Sequence, residues 1–166
     1  QADRVELFAN GVRVAEQKLS PVRGVTKARV AFKLTRLKHD VHLVAIASGP
    51  GVIAPFWETP RPYQPSSKTF TPRVLGATNP VWVDGDGDGK FTAARGYAEL
   101  LVKRHGTDAA KLFPALAIYD EAVAAQAASL CHAAGKDLRA VEYSHALRTA
   151  TRPVQRGWVS YAGTVR

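Results

Sequence analysis

The residues best equipped for chemistry are three aspartates in the run Val83-Asp84-Gly85-Asp86-Gly87-Asp88-Gly89-Lys90, one at every second position of a glycine-rich turn. Calcium takes six to eight oxygen ligands, and a D-x-D-x-D-G run supplies them compactly. With Asp84 as the first ligand of a loop, Asp86 and Asp88 fall at the third and fifth positions. Gly89 falls at the sixth, where a sharp turn favours a residue without Cβ. The Lys90 carbonyl and the Thr92 hydroxyl follow at the seventh and ninth. Position twelve is Arg95, not the bidentate glutamate of an EF-hand, so by that standard the loop is incomplete. The expected metal set is Asp84, Asp86, Asp88, Lys90 and Thr92, with Ca2+ as the cofactor. The competing reading is a solvated Asp/Gly hairpin, in which the repulsion among the carboxylates is relieved by water and lysines.

Other candidate groups have plainer explanations. His39 and His42 stand three apart at the start of an apolar segment, where strand geometry turns them to opposite faces. They are therefore not expected to share a metal, and His39 is expected to be exposed. His105 and His132 sit where helices should end, so an imidazolium there meets the negative end of a helix dipole. His145 reads as a helix-face residue. Asp120-Glu121 reads as a helix start. The single Cys131, in an alanine-rich helical pattern, excludes an internal disulfide and reads as a small buried thiol. No nucleophile–base motif, phosphate loop or dinucleotide fingerprint is present, so the chain is expected not to be an enzyme in its own right.

The elements around the acidic run change period. Val5-Glu6-Leu7-Phe8-Ala9 alternates into Asn10-Gly11, a strong hairpin signal, and Val12–Ala15 returns from it. Ala28–Thr35 alternates again, with Val30, Phe32 and Leu34 on one face. Val41–Ala47 is nearly continuously apolar, as a central strand would be. The segment 54–72 carries five prolines and reads as a surface crossover anchored by Phe56, Trp57 and Tyr63. Strands resume at 73–77 and 80–83. After Phe91 the apolar spacing becomes helical, with helix starts expected near Thr92, Asp108, Asp120, Asp137 and Pro153. These features predict an α+β chain: an immunoglobulin-like antiparallel β-sandwich over 1–91, ending in the calcium-type turn, and a small α-helical bundle over 92–166.

Composition narrows the partners. Twenty-three Lys/Arg against fourteen Asp/Glu give a net charge of +9, and no apolar run reaches the ~18 residues of a membrane span. The basic stretch from Arg23 to Lys38 suits an acidic polymer or an acidic protein surface. It lacks interleaved stacking aromatics, which disfavours nucleic acid. The opening Gln-Ala-Asp-Arg runs almost at once into a strand, so the chain reads as a piece of a longer protein.

The ordered set Val5–Gly11, Lys38–Ala47, Ala54-Pro55-Phe56-Trp57 and Thr78-Asn79-Pro80-Val81-Trp82-Val83-Asp84-Gly85-Asp86-Gly87-Asp88-Gly89 resembles a family tail. It is similar to the C-terminal region of bacterial CehA/McbA-type metallohydrolases of the PHP superfamily. The alanine-rich Tyr119–Ala128 helix resembles tails of long members. The resemblance covers most of residues 4–91. It implies a β-sandwich accessory to a hydrolase domain of the same or another chain, and an exported location. It maps no catalytic residue, because the family's histidine-rich barrel has no counterpart here. Two other readings stay open. One is a free-standing module for an acidic polymer such as polysaccharide, using the basic strands with Trp57 and Tyr63. The other is an assembly subunit joined through a sheet edge.

Overall fold

A computed structural model describes residues 2–20, 28–34, 37–49 and 74–165. The chain is α+β, with a five-stranded antiparallel sheet followed by helices. Strands β1 (Arg4–Ala9) and β2 (Val12–Lys18) form the hairpin expected at Asn10-Gly11. Both turn residues have positive φ, 48° and 82°, the left-handed pair that a two-residue hairpin turn demands. Strand β3 (Val41–Gly49) is central. It pairs with β1 in the register Leu7↔Ala45 and with β4 (Val74–Ala77) in the register Ile46↔Ala77. The sheet order is β2-β1-β3-β4, and β5 (Val81–Val83) also pairs with β3.

One expected strand, over 28–35, is not formed among its described residues. Residues 28–34 adopt no regular element, yet Val30, Phe32 and Leu34 are half-buried while Ala31 and Lys33 are exposed. Alternation selected the buried face correctly. A ladder additionally needs a partner edge in register, which residue spacing does not encode. The proline-rich segment, with Phe56, Trp57 and Tyr63, lies outside the described residues.

The chain divides into two compact units, one of Gln1–Lys33 with Leu43–Val81, the other of Leu34–His42 with Trp82–Arg166. In the first, Leu7 of β1 is buried. Across the hairpin Glu6 stands opposite Glu16, and the Arg13 guanidinium bridges both carboxylates at 2.7 and 2.8 Å.

The second unit holds the larger core. Its helices are α1 (Ala94–His105), α2 (Ala109–Leu116), α3 (Glu121–Ala133), α4 (Val141–Thr149) and α5 (Arg152–Thr164). Asp108 and Asp120 cap α2 and α3 by accepting the N–H groups of Ala110 and Val123, as their positions in the sequence suggest. Gly106 and Gly135, with positive φ, follow α1 and α3. Pro153 enters the first turn of α5, where a missing N–H costs nothing. Helix α3 touches both α1 and α5. A Cβ on Gly157 would collide with the Glu121 carbonyl, so glycine is what lets α5 approach α3 so closely. Phe113, Tyr143 and Trp158 stack at centroid distances of 4.7 to 6.2 Å. Their polar ends are satisfied: Tyr143 donates to the Thr107 carbonyl, and Trp158 Nε1 donates to the Leu138 carbonyl. Burying each such ring stabilises the unit by roughly 1.5–3 kcal/mol. Leu100, one position off Leu101 in α1, Ile118, beyond the end of α2, and Val141, the first residue of α4, are exposed.

Candidate metal centre

The acidic loop belongs to the second unit and runs from the end of β5 to the start of α1. Its neck is closed by aromatic contact. Trp82 before the aspartates and Phe91 after them meet edge to face at 4.5 Å, and His42 lies 5.6 Å from Trp82. Within the loop each carboxylate folds back on later backbone. Asp84 accepts the N–H of Gly87 on one oxygen and that of Gly89 on the other, at 2.6 and 2.8 Å. Asp86 accepts from Asp88 N–H at 3.3 Å, and Asp88 from Lys90 N–H at 2.8 Å. These successive turns need left-handed backbone at Gly87 and Gly89, whose φ values are 79° and 80°.

The loop is organised around a residue outside it. Asp40, immediately before β3, is 1 % exposed. Its Oδ1 accepts the Gly85 N–H at 2.8 Å and its Oδ2 the Thr92 N–H at 2.6 Å, so one carboxylate grips both ends of the loop. Burial pushes the Asp40 carboxyl up, but the N–H groups of Thr92, Gly85 and Asp86 and the Tyr97 hydroxyl outweigh it and hold the group below its usual range. Tyr97 of α1 completes the frame. Its hydroxyl donates to Asp86 Oδ2 at 2.6 Å and accepts the Asp40 backbone N–H at 3.2 Å. Burial, and then that bond to Asp86, drive the phenol pKa well above its ordinary value. Gly85 has no freedom to carry a side chain, since a Cβ there would collide with the His39 carbonyl.

Asp40, Asp84 and Asp86 each offer a carboxylate oxygen, and these oxygens all lie within 4.8 Å of one another. Every carboxylate presents about four lone-pair sites, so the backbone hydrogen bonds orient these groups without exhausting them. Three hard oxygen donors at this spacing suit a hard divalent cation. Asp84 and Asp86 of the expected set are thus brought together. The Asp88 carboxylate stands outside the group, and Lys90 and Thr92 contribute the N–H contacts to Asp88 and Asp40 described above.

Sequence reasoning missed Asp40. The available signal was a carboxylate placed directly before a largely apolar strand, where burial would require it to find donors. His39 was expected at the surface but is buried. It packs against the rings of Tyr97 and Tyr119 at 5.9 and 5.4 Å, with Nε2 3.1 Å from Asp120 Oδ2. The two tyrosine rings, brought from far along the chain, supply the cover that buries it. Cys131 is buried as expected, and burial raises its thiol pKa, which makes it a poor nucleophile. No helix among the described residues is long and apolar enough to cross a membrane. In comparisons with known proteins, the chain matches no family model, no curated protein and no solved structure.

Proposed function

We propose that this chain is a non-catalytic structural module whose acidic loop binds Ca2+ and thereby fixes the entry to β3 against the start of α1. The observation that carries this reading is Asp40. A nearly fully buried carboxylate holds both ends of the loop and lies beside Asp84 and Asp86 within 4.8 Å. A cation joining these three oxygens would tie residues far apart in sequence, at a point where α1 already contributes Tyr97. The ion's role is mechanical, and Asp88, Lys90 and Thr92 would complete the ligand shell through side-chain, carbonyl and hydroxyl oxygens.

The wider assignment follows the resemblance of the sequence: an accessory part of a larger, exported, PHP-type metallohydrolase, with an immunoglobulin-like sandwich built on the described sheet. Its partner would be a hydrolase domain of the same or another chain. Two experiments address the two levels. Isothermal titration of the chelator-treated protein with Ca2+ should show one saturable site that Asp84→Asn together with Asp86→Asn removes. Heat-free titration of the unaltered chain would sink the metal reading. Co-purification of the chain with a barrel-bearing hydrolase supports the accessory role, and hydrolase activity that persists unchanged, at the same stability, after deletion of the module contradicts it.

A further inference from the structure

Alanine has opposite consequences in different parts of the helical unit. Between α3 and α5, small residues let the helices close on each other. Between α2 and α4 they leave a groove of about 860 Å³, with Ala109, Ala117 and Ala146 on its walls. That volume is in the range of pockets that take small organic molecules, roughly 300–1,000 Å³. Phe113 lines the groove and is itself buried and backed by Trp158 at 4.7 Å, so this wall is held rigidly.

Among Asp, Glu, Lys and Arg, the described lining of the groove carries only acidic side chains. The chain carries a net charge of +9, yet no Lys or Arg is among the described residues that line it. Its acidic groups are Asp108, the cap of α2, and Glu142, in the first turn of α4. Lys111 stands 3.7 Å from Asp108, an exposed pair of small energetic consequence. Pro114, also in the wall, has no N–H, so the carbonyl of Ala110 one turn earlier loses its ordinary helical donor. Two carboxylates therefore stand as acceptors beside an apolar surface. His145 is the remaining titratable side chain of the lining.

We infer that the groove between α2 and α4 is a binding site for a small apolar ammonium ion, its hydrocarbon body against Phe113 and the alanines and its charge toward Asp108 and Glu142. This inference is independent of the acidic loop. The test uses 1-naphthylmethylammonium and, as an anion of similar shape, 1-naphthoate, each titrated calorimetrically at about pH 8. The ammonium should bind one to one with Kd below about 1 mM, and the carboxylate about ten-fold more weakly. Glu142→Gln, an exposed change with little effect on folding, should weaken the ammonium about two- to five-fold. Ala117→Leu at the exposed wall, or Ala146→Phe deeper in, should abolish binding by filling the space. Equal affinity for the two probes, no saturation by the ammonium, or unchanged binding in Ala117→Leu would each overturn the assignment. A dimer that Ala117→Leu dissociates in sedimentation would overturn it too, in favour of a second copy of the chain.

Discussion

Replacing Asp40 by Asn keeps the size of the side chain and removes its charge and one of its two acceptors. In the protein both oxygens are engaged, one by Gly85 N–H at 2.8 Å and one by Thr92 N–H at 2.6 Å. The Asn amide can serve only one of these donors, and its NH2 group then faces the other. A hydrogen bond to a charged group contributes about 1.5–3 kcal/mol, and an orphaned buried donor costs about 1–3 kcal/mol. Because the side chain is almost fully buried, water cannot step in. The expected loss is therefore about 3 kcal/mol, or roughly 6–12 °C in Tm for a chain of this length. Near-UV circular dichroism of Trp and Tyr signals during heating, in chelator at neutral pH, measures it. Asp88→Asn provides the control, since Asp88 is exposed and holds only the local Lys90 N–H; it should stay within about 1 kcal/mol. If Asp40→Asn melted within 2 °C of the parent by the same measurement, the claim that Asp40 organises the loop would be refuted (the limit being about 0.5–1 kcal/mol).

Acid should act through the same group. Because the folded-state pKa of Asp40 is depressed, its contribution is complete above the ordinary carboxylate value of about 3.9 and disappears as pH falls through the folded value. Urea midpoints should thus be flat near neutrality and drop at acid pH, with a shallower acid drop in Asp40→Asn. Tyr97→Phe removes only the hydroxyl that joins Asp86 to the Asp40 backbone, and should cost about 1–3 kcal/mol in the same denaturation assay. Gly157→Ala should lower Tm despite alanine's better helix propensity, since its methyl would strike the Glu121 carbonyl; Gly163→Ala, with nothing within 4 Å, should be neutral or slightly stabilising. Equal effects of the two glycine substitutions would contradict the close α3–α5 approach.

The parts of the fold visible in the sequence are those with local causes. The Asn10-Gly11 turn, the caps at Asp108 and Asp120, Pro153 at the start of α5 and the glycines after α1 and α3 all act within a few residues of themselves. The half-built aspartate turn was visible for the same reason, because its carboxylates bond backbone two to five residues on. What stayed hidden depends on distance in the chain. Asp40 reaches the loop across 45 and 52 residues, and no periodicity marks such a pairing. His39 gained its burial from Tyr97 and Tyr119, which arrive from α1 and from the α2–α3 connection far downstream. The strand expected over 28–35 failed for a related reason: pairing partners are chosen by the whole sheet and not by the alternation of one segment. The groove between α2 and α4 could not be foreseen either, since alanine patterns alone do not say whether two helices close on each other or stand apart.

The most direct measurement of the central claim is thermal unfolding of the unaltered chain with excess chelator and then with Ca2+ at a hundred times its dissociation constant from titration. A ligand that binds only the folded form should stabilise it by about 2.7 kcal/mol under those conditions, a rise in Tm of roughly 5–11 °C for a chain of this length. That rise is the expected result, and it should vanish when Asp84 and Asp86 are both replaced by Asn. A melting temperature that does not move with Ca2+, or that moves equally in the doubly substituted chain, would contradict a calcium-bound joint at Asp40, Asp84 and Asp86.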